Sequence, residues 1–189
     1  MSLKLKIIIG STRPGRVGPT VAEWVTAAAR AHGAFDVELV DLAQLDLPLL
    51  DEPKHPAMQQ YQHDHTKRWS AIVKEADAFV FVTPEYDYFP PAALINAMQT
   101  LAVEWRYKAA GTVSYGGISG GLRSSQELRQ LAGNLQMMAL PQVVPVPFFS
   151  EFIGEDGKFT PNEKMAEGAS MMLGELAKWA GALKTLRAA

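Results

Sequence analysis

The sequence predicts an α/β protein: a three-layer sandwich whose five-stranded parallel sheet, in the order 2-1-3-4-5, carries helices on both faces. Three observations predict it. Apolar, β-branched runs alternate with segments of helical periodicity, and that alternation makes a parallel sheet. The runs ending at Ile9 and Thr83 are apolar on successive residues, as strands covered on both faces are. Right-handed crossovers then leave few topologies, and this order suits five β-α units best.

Leu3–Ile9 is the first strand, ended by Gly10. Thr20–Ala31 is Ala-rich, with Val21, Trp24, Val25 and Ala28 at helical spacing and Gly33 as the stop. Phe35–Asp41 alternates and makes the second strand. Leu42–Pro56 reads as irregular, broken by Pro48, Pro53 and Pro56. His65–Ala76 is a helix with Trp69, Ile72, Val73 and Ala76 on one face. Ala78–Thr83 is the third strand, halted by Pro84. Pro90–Glu104 is helical, with proline in the first turn and then Leu94, Ala97, Met98 and Leu101. Gly111–Tyr115, Leu122–Leu135 and Gln142–Val146 read as strand, helix and short strand. Phe148–Pro161 reads as a polar arm across the surface. Asn162–Leu186 is the closing helix, with Met165, Met172, Leu176 and Trp179 on its apolar side.

The 189 residues fit one domain, 1–189, with a sizeable core. A net charge of -2 gives no reason to expect nucleic acid or an anionic membrane as partner. The absence of cysteine excludes disulfides, thiol catalysis and thiolate-held metals, and it suits a reducing compartment. Ile7–Ile9 is too short for the core of a signal peptide, and no stretch reaches a membrane span. A cytoplasmic protein is expected.

In an open α/β sheet the ligand lies beyond the carboxyl ends of the strands, at the switch point between strands one and three. Three loops converge there. The first holds Ser11, Thr12, Arg13, Arg16, Gly18 and Thr20. Hydroxyls, backbone N–H groups at a helix start and arginines suit a phosphate. The plainer alternative is a Ser11-capped turn with solvated arginines. No Gly-Lys-Ser/Thr follows, and the glycine spacing is wrong for a dinucleotide fingerprint, so a monophosphate is favoured. The second loop holds Pro84, Glu85, Tyr86, Asp87, Tyr88 and Phe89, and the third Tyr115, Gly116 and Gly117. Aromatic walls and a side-chain-free glycine pair suit a flat ring, although tight turns with core aromatics explain them too. One ligand with a phosphate and a planar ring satisfies all three loops, and flavin mononucleotide, FMN, meets that description.

These residues also carry a resemblance. GSTRPGRVGPTVAEWV from Gly10, VTPEYDYFPPAALINAM from Val82 and VSYGGISGGLRSSQELR from Val113 resemble, in order, three segments of the NADPH-dependent FMN reductase family. The resemblance runs from Leu3 to about Val146. It implies a flavodoxin-like fold, bound FMN, reduction by NADPH or NADH, a small-molecule electron acceptor, and a homodimer or homotetramer. It places the phosphate on Ser11, Arg13 and the stretch Arg16, Val17 and Gly18. It places the ring edge against Pro84, Glu85, Tyr86 and Asp87 on one side and Tyr115, Gly116 and Gly117 on the other. Asp87 stands where members usually have Asn, and an ionised carboxylate cannot donate to a flavin carbonyl. Arg16 stands where many have Ser, which implies a stronger phosphate grip. Ile95 replaces a frequent Lys, and Tyr88 and Phe89 are bulkier than usual, narrowing the space above the ring.

His63, Asp64 and His65 have metal-ligand chemistry, but positions two apart at a helix start diverge, so no metal is expected. Glu85 reads as structural. Arg123 serves either the nucleotide phosphate or Glu127 one turn on. Trp105, Arg106 and Tyr107 are either a subunit contact or core. The methionines at 137–138 and 171–172 read as packing. No side chain is expected to act as acid or base, since hydride chemistry belongs to the cofactor. The alternatives are an electron carrier, a hydrolase or transferase of a phosphorylated molecule, and an oligomeric scaffold with a degenerate site.

Overall fold

The computed structural model describes residues 2–188. Strands β1 (Leu3–Ile9), β2 (Phe35–Asp41), β3 (Ala78–Pro84), β4 (Ala109–Tyr115) and β5 (Met138–Val146) form one parallel sheet in the order β2-β1-β3-β4-β5. This is the predicted order. The helices are α1 (Gly18–His32), α2 (Leu42–Leu45), α3 (Asp64–Glu75), α4 (Ala92–Gln99), α5 (Leu122–Asn134) and α6 (Glu163–Ala188).

Alternation along β1 divides the core. Leu5, Ile7 and Ile9 face α1 and α6, where Val21, Val25, Met172 and Leu176 cover them. Ile8 faces the other way and joins Phe79 and Phe81 against Trp69 and Val73 of α3, Leu94 and Met98 of α4, and Leu128 of α5. β3 and β4 are buried throughout; β3 is apolar from Ala78 to Val82, as a strand covered on both faces is, whereas β4 also buries Thr112 and Ser114.

Several boundaries differ from expectation, each for a local reason. α1 starts two residues early because Pro19 occupies its first turn, where a missing N–H costs nothing. The 42–56 stretch begins with one helical turn, α2, capped by the Asp41 carboxylate. α4 stops at Gln99. The chain tightens into a 3₁₀ turn at Val103–Trp105, so that the indole N–H of Trp105 reaches the Met98 carbonyl at 3.0 Å. Trp105 is fully buried against Phe79 and Trp69, which settles it as core, whereas Tyr107 is 46% exposed. β5 starts at Met138, before Pro141, because an edge strand tolerates proline and Pro141 falls in the register irregularity opposite Ala110–Thr112. The 148–161 arm is partly apolar: Phe159 packs on Trp24 of α1 at 5.1 Å between ring centroids, beside Phe152. Met171 is exposed, whereas Met137 and Met172 are buried.

The amino end of the sheet is locked by ion pairs. The buried Asp77 carboxylate accepts from the Lys4 N–H, from Lys184 at 2.7 Å and from Arg187 at 2.6 Å. Lys6 reaches Glu75 at 2.8 Å and also Glu38. Polar groups at the carboxyl end are less fully committed, and that is where the predicted loops meet.

Candidate active site

The loop after β1 runs from Ser11 to Val17 and opens α1. Arg16 binds Asp41 at the end of β2 with both forks, at 2.6 Å each, and donates to the Ser11 carbonyl at 2.8 Å. Burial would raise the Asp41 pKa, but the Arg16 and Ala43 bonds hold it below the usual value. Three contacts thus spend the Arg16 guanidinium on shaping the loop, where the sequence pointed to a direct grip on phosphate. Arg13 is different. It forms no ion pair among the described residues and is exposed, its guanidinium carbon 5.8 Å from the Tyr86 ring centroid. The backbone N–H groups of Thr12, Arg13, Val17 and Gly18 find no acceptor among the described residues. Val17 is the N-cap of α1 and supplies no side-chain cap. Unspent donors at a helix start beside a free guanidinium fit a phosphate monoester.

Gly18 makes the loop close on the sheet. A Cβ there would stand 2.5 Å from Ser11 Oγ and 2.9 Å from the Tyr115 hydroxyl. Ser11 is fully buried, and Tyr115 donates to its Oγ at 3.2 Å. Burial pushes the Tyr115 phenol up to about 12, so it stays protonated and keeps donating at neutral pH. Tyr115 therefore joins β4 to the loop after β1, in addition to lying in the third loop, where the resemblance places the ring edge.

The loop after β3 forms a two-residue hairpin. Tyr86 and Phe89 exchange backbone hydrogen bonds, each 2.9 Å, around Asp87 (φ 48°) and Tyr88 (φ 77°). Two positive φ angles mark a type I′ turn, which favours Asn or Asp first and Gly second. Asp87 matches the first preference and Tyr88 violates the second. Glu85 stands beneath the hairpin, its side chain 10% exposed. Its carboxylate accepts from the Arg123 backbone N–H at 3.1 Å, capping α5, and from the Arg123 Nε at 3.1 Å. Arg123 thus pairs with Glu85, where the sequence offered Glu127 or a nucleotide phosphate. The third loop leaves Gly117 open: no atom lies within 4 Å of where its Cβ would be. The Gly116 and Gly117 carbonyls accept from Phe149 and Phe148, so the arm fixes the glycine pair from outside. Thr20 fastens the arm in turn, donating to the Gly157 carbonyl and accepting from the Phe159 N–H, both at 2.9 Å.

The three loops form an open shelf on which Thr12–Gly15, Tyr86–Phe89, Gly117 and Ile118 are exposed. A cleft of about 470 Å³ lies elsewhere, between the ends of α4 and α5, lined by Leu101, Arg106 and Leu135 among others. It carries none of the residues of the three loops. His63 and His65 stack at 5.2 Å and both face Asp51, and no group able to hold a metal occurs among the described residues. No helix among them is long and apolar enough to cross a membrane.

The sequence pattern described as NADPH-dependent FMN reductase matches residues 3–151. The chain belongs to that family. An NAD(P)H-dependent FMN reductase of Schizosaccharomyces pombe is 38% identical over 183 residues, covering 96% of this chain and 85% of that one. A second protein of that description, from Saccharomyces cerevisiae, is 36% identical over 166 residues, covering 82% and 86%. Among solved structures, the Paracoccus denitrificans flavoenzyme FerB aligns with a TM-score of 0.73 at 18% identity, covering 95% of this chain and 98% of that one, which shows the shared flavodoxin-like fold. The chain is therefore an oxidoreductase, with FMN as cofactor and a reduced nicotinamide nucleotide as donor. One positioning residue escaped sequence reasoning: Asp41 read only as the last residue of a strand. Its signal was position, at the carboxyl end of β2 beside β1.

Proposed function

We propose that this protein passes electrons from NADPH or NADH through bound FMN to a second small molecule, a quinone, a free flavin or a related electrophile, by ping-pong kinetics. The unspent donors of the phosphate loop are the observation that carries it. Ser11, Arg13 and the N–H groups of Val17 and Gly18 hold the phosphate, and Arg16 with Asp41 keeps that loop in shape. Pro84, Glu85, Tyr86 and Asp87 face one side of the ring, with Gly116 and Gly117 on the other. FMN, when bound, supplies the redox chemistry, accepting a hydride equivalent and yielding it to the acceptor. The residues bind, orient and shield; none is assigned a proton.

A single open shelf serves both substrates, so the oxidised nucleotide leaves before the acceptor stacks. The chain works in the cytoplasm as a single domain, assembled as a homodimer or homotetramer. Initial rates test the order of events. Parallel double-reciprocal lines for NADPH against a benzoquinone are expected; intersecting lines would contradict a shared shelf. An electron carrier would show negligible NADPH turnover.

A further inference from the structure

The strained part of the shelf is Tyr88. A bulky residue seldom adopts φ 77°, and Tyr88, 60% exposed, belongs to neither hydrophobic core cluster. What holds it is Arg123, whose guanidinium carbon lies 4.0 Å from the ring centroid. Arg123 is held by Glu85, through its Nε and its backbone N–H, both at 3.1 Å. Glu85 is held by the sheet, its own N–H donating to the Tyr115 carbonyl at 3.1 Å. The chain of contacts runs from β4 through the end of β3 and the start of α5 to the tip of the hairpin.

We infer that Arg123 is a positioning residue that sets acceptor selectivity: it props the strained Tyr88 ring at the rim of the shelf, so that single-ring quinones enter and three-ring acceptors such as free flavin are disfavoured. This rests on the proposed oxidoreductase site. An uncompensated type I′ turn with tyrosine in its second position relaxes once its prop is removed. The relaxed hairpin opens the shelf from its tip, since Arg123 forms no hydrogen bond or ion pair with Ser11 to Gly18 among the described residues.

The test is a mutant cycle of Arg123→Gln and Tyr88→Ala. Either substitution is expected to raise kcat/KM for free riboflavin relative to benzoquinone by about tenfold, through KM for riboflavin. The double mutant is expected to match Tyr88→Ala alone, because Arg123 acts through Tyr88. Arg123→Lys, which keeps the cation but loses the planar fork, is expected to restore part of the wild-type ratio. A second readout needs no flavin. With 3-fluorotyrosine incorporated, the fluorine resonance that disappears in Tyr88→Phe is expected to shift and sharpen in Arg123→Gln as the ring comes free. An unmoved resonance overturns the clamp. A moved resonance with an unchanged acceptor ratio overturns the selectivity. Additive effects in the double mutant overturn action through Tyr88. A wild-type protein that never oxidises NADPH overturns the oxidoreductase site and this role together, and is recognised before any variant is made.

Discussion

Arg16 and Asp41 meet fork to fork, with Nη1 on Oδ1 and Nη2 on Oδ2 at 2.6 Å each. The same carboxylate accepts the Ala43 N–H at 3.0 Å and so caps α2. One residue at the end of β2 thus holds two loops. Asp41→Asn leaves the shape but removes the charge that a half-buried guanidinium faces. It is expected to cost about 1–3 kcal/mol in chemical denaturation and to weaken FMN binding through the displaced loop. A titration by flavin fluorescence quenching measures the second effect.

The same pair gives a pH dependence with a definite sign. Burial raises the Asp41 pKa, but the bonds from Arg16 and Ala43 prevail and the folded value lies below the unfolded one. Such a carboxylate adds stability that is complete above the unfolded value of about 4 and is lost as pH falls through the lower folded value. The gap in unfolding free energy between wild type and Asp41→Asn should be flat from about pH 5 to 8 and shrink below about 4. A gap that grows in acid would contradict the assignment.

Gly18→Ala tests the closeness of loop and sheet. The new methyl would lie 2.5 Å from Ser11 Oγ, 2.9 Å from the Tyr115 hydroxyl and 3.0 Å from Ile9 Cγ2. Ser11 and Ile9 are buried and cannot yield freely. A loss of about 1–3 kcal/mol is expected from overpacking, together with loss of retained FMN after gel filtration.

Arg13→Ala should separate binding from stability. The side chain is exposed and unpaired among the described residues, so thermal unfolding should move by no more than about 0.5 kcal/mol equivalent. The FMN dissociation constant should rise about 10- to 100-fold, the worth of one charge-assisted phosphate contact. An unchanged constant would shift the phosphate role back to Arg16.

Tyr115→Phe keeps the buried ring and deletes its hydroxyl bond to Ser11. About 1 kcal/mol of stability is expected to go, as for a single hydrogen bond. Calorimetry on the flavin-free protein isolates this term from cofactor binding.

The sheet order was legible because β1 ends in the apolar run Ile7–Ile9 and β3 is apolar from Ala78 to Val82, and period-two alternation marks strands wherever one face is covered. The three site loops were legible because strand ends converge by topology alone. What escaped was side-chain commitment. Arg16 and Arg13 are three residues apart and chemically alike, yet one meets Asp41 and the other does not. That difference depends on the placement of β2 beside β1, which no local pattern encodes. Glu85 and Arg123 are 38 residues apart and meet only because β3 ends beside the start of α5. Helix ends were misjudged where a distant contact overrode periodicity, as when Trp105 turned inward and shortened α4.

The most direct test is the visible spectrum of the purified protein, mixed with excess FMN, freed of unbound flavin, and then given NADPH without oxygen. One equivalent of retained flavin whose visible absorption band bleaches on mixing is the predicted result. A colourless protein, or a retained band that NADPH leaves untouched, would contradict the claim that these three loops form a working FMN site.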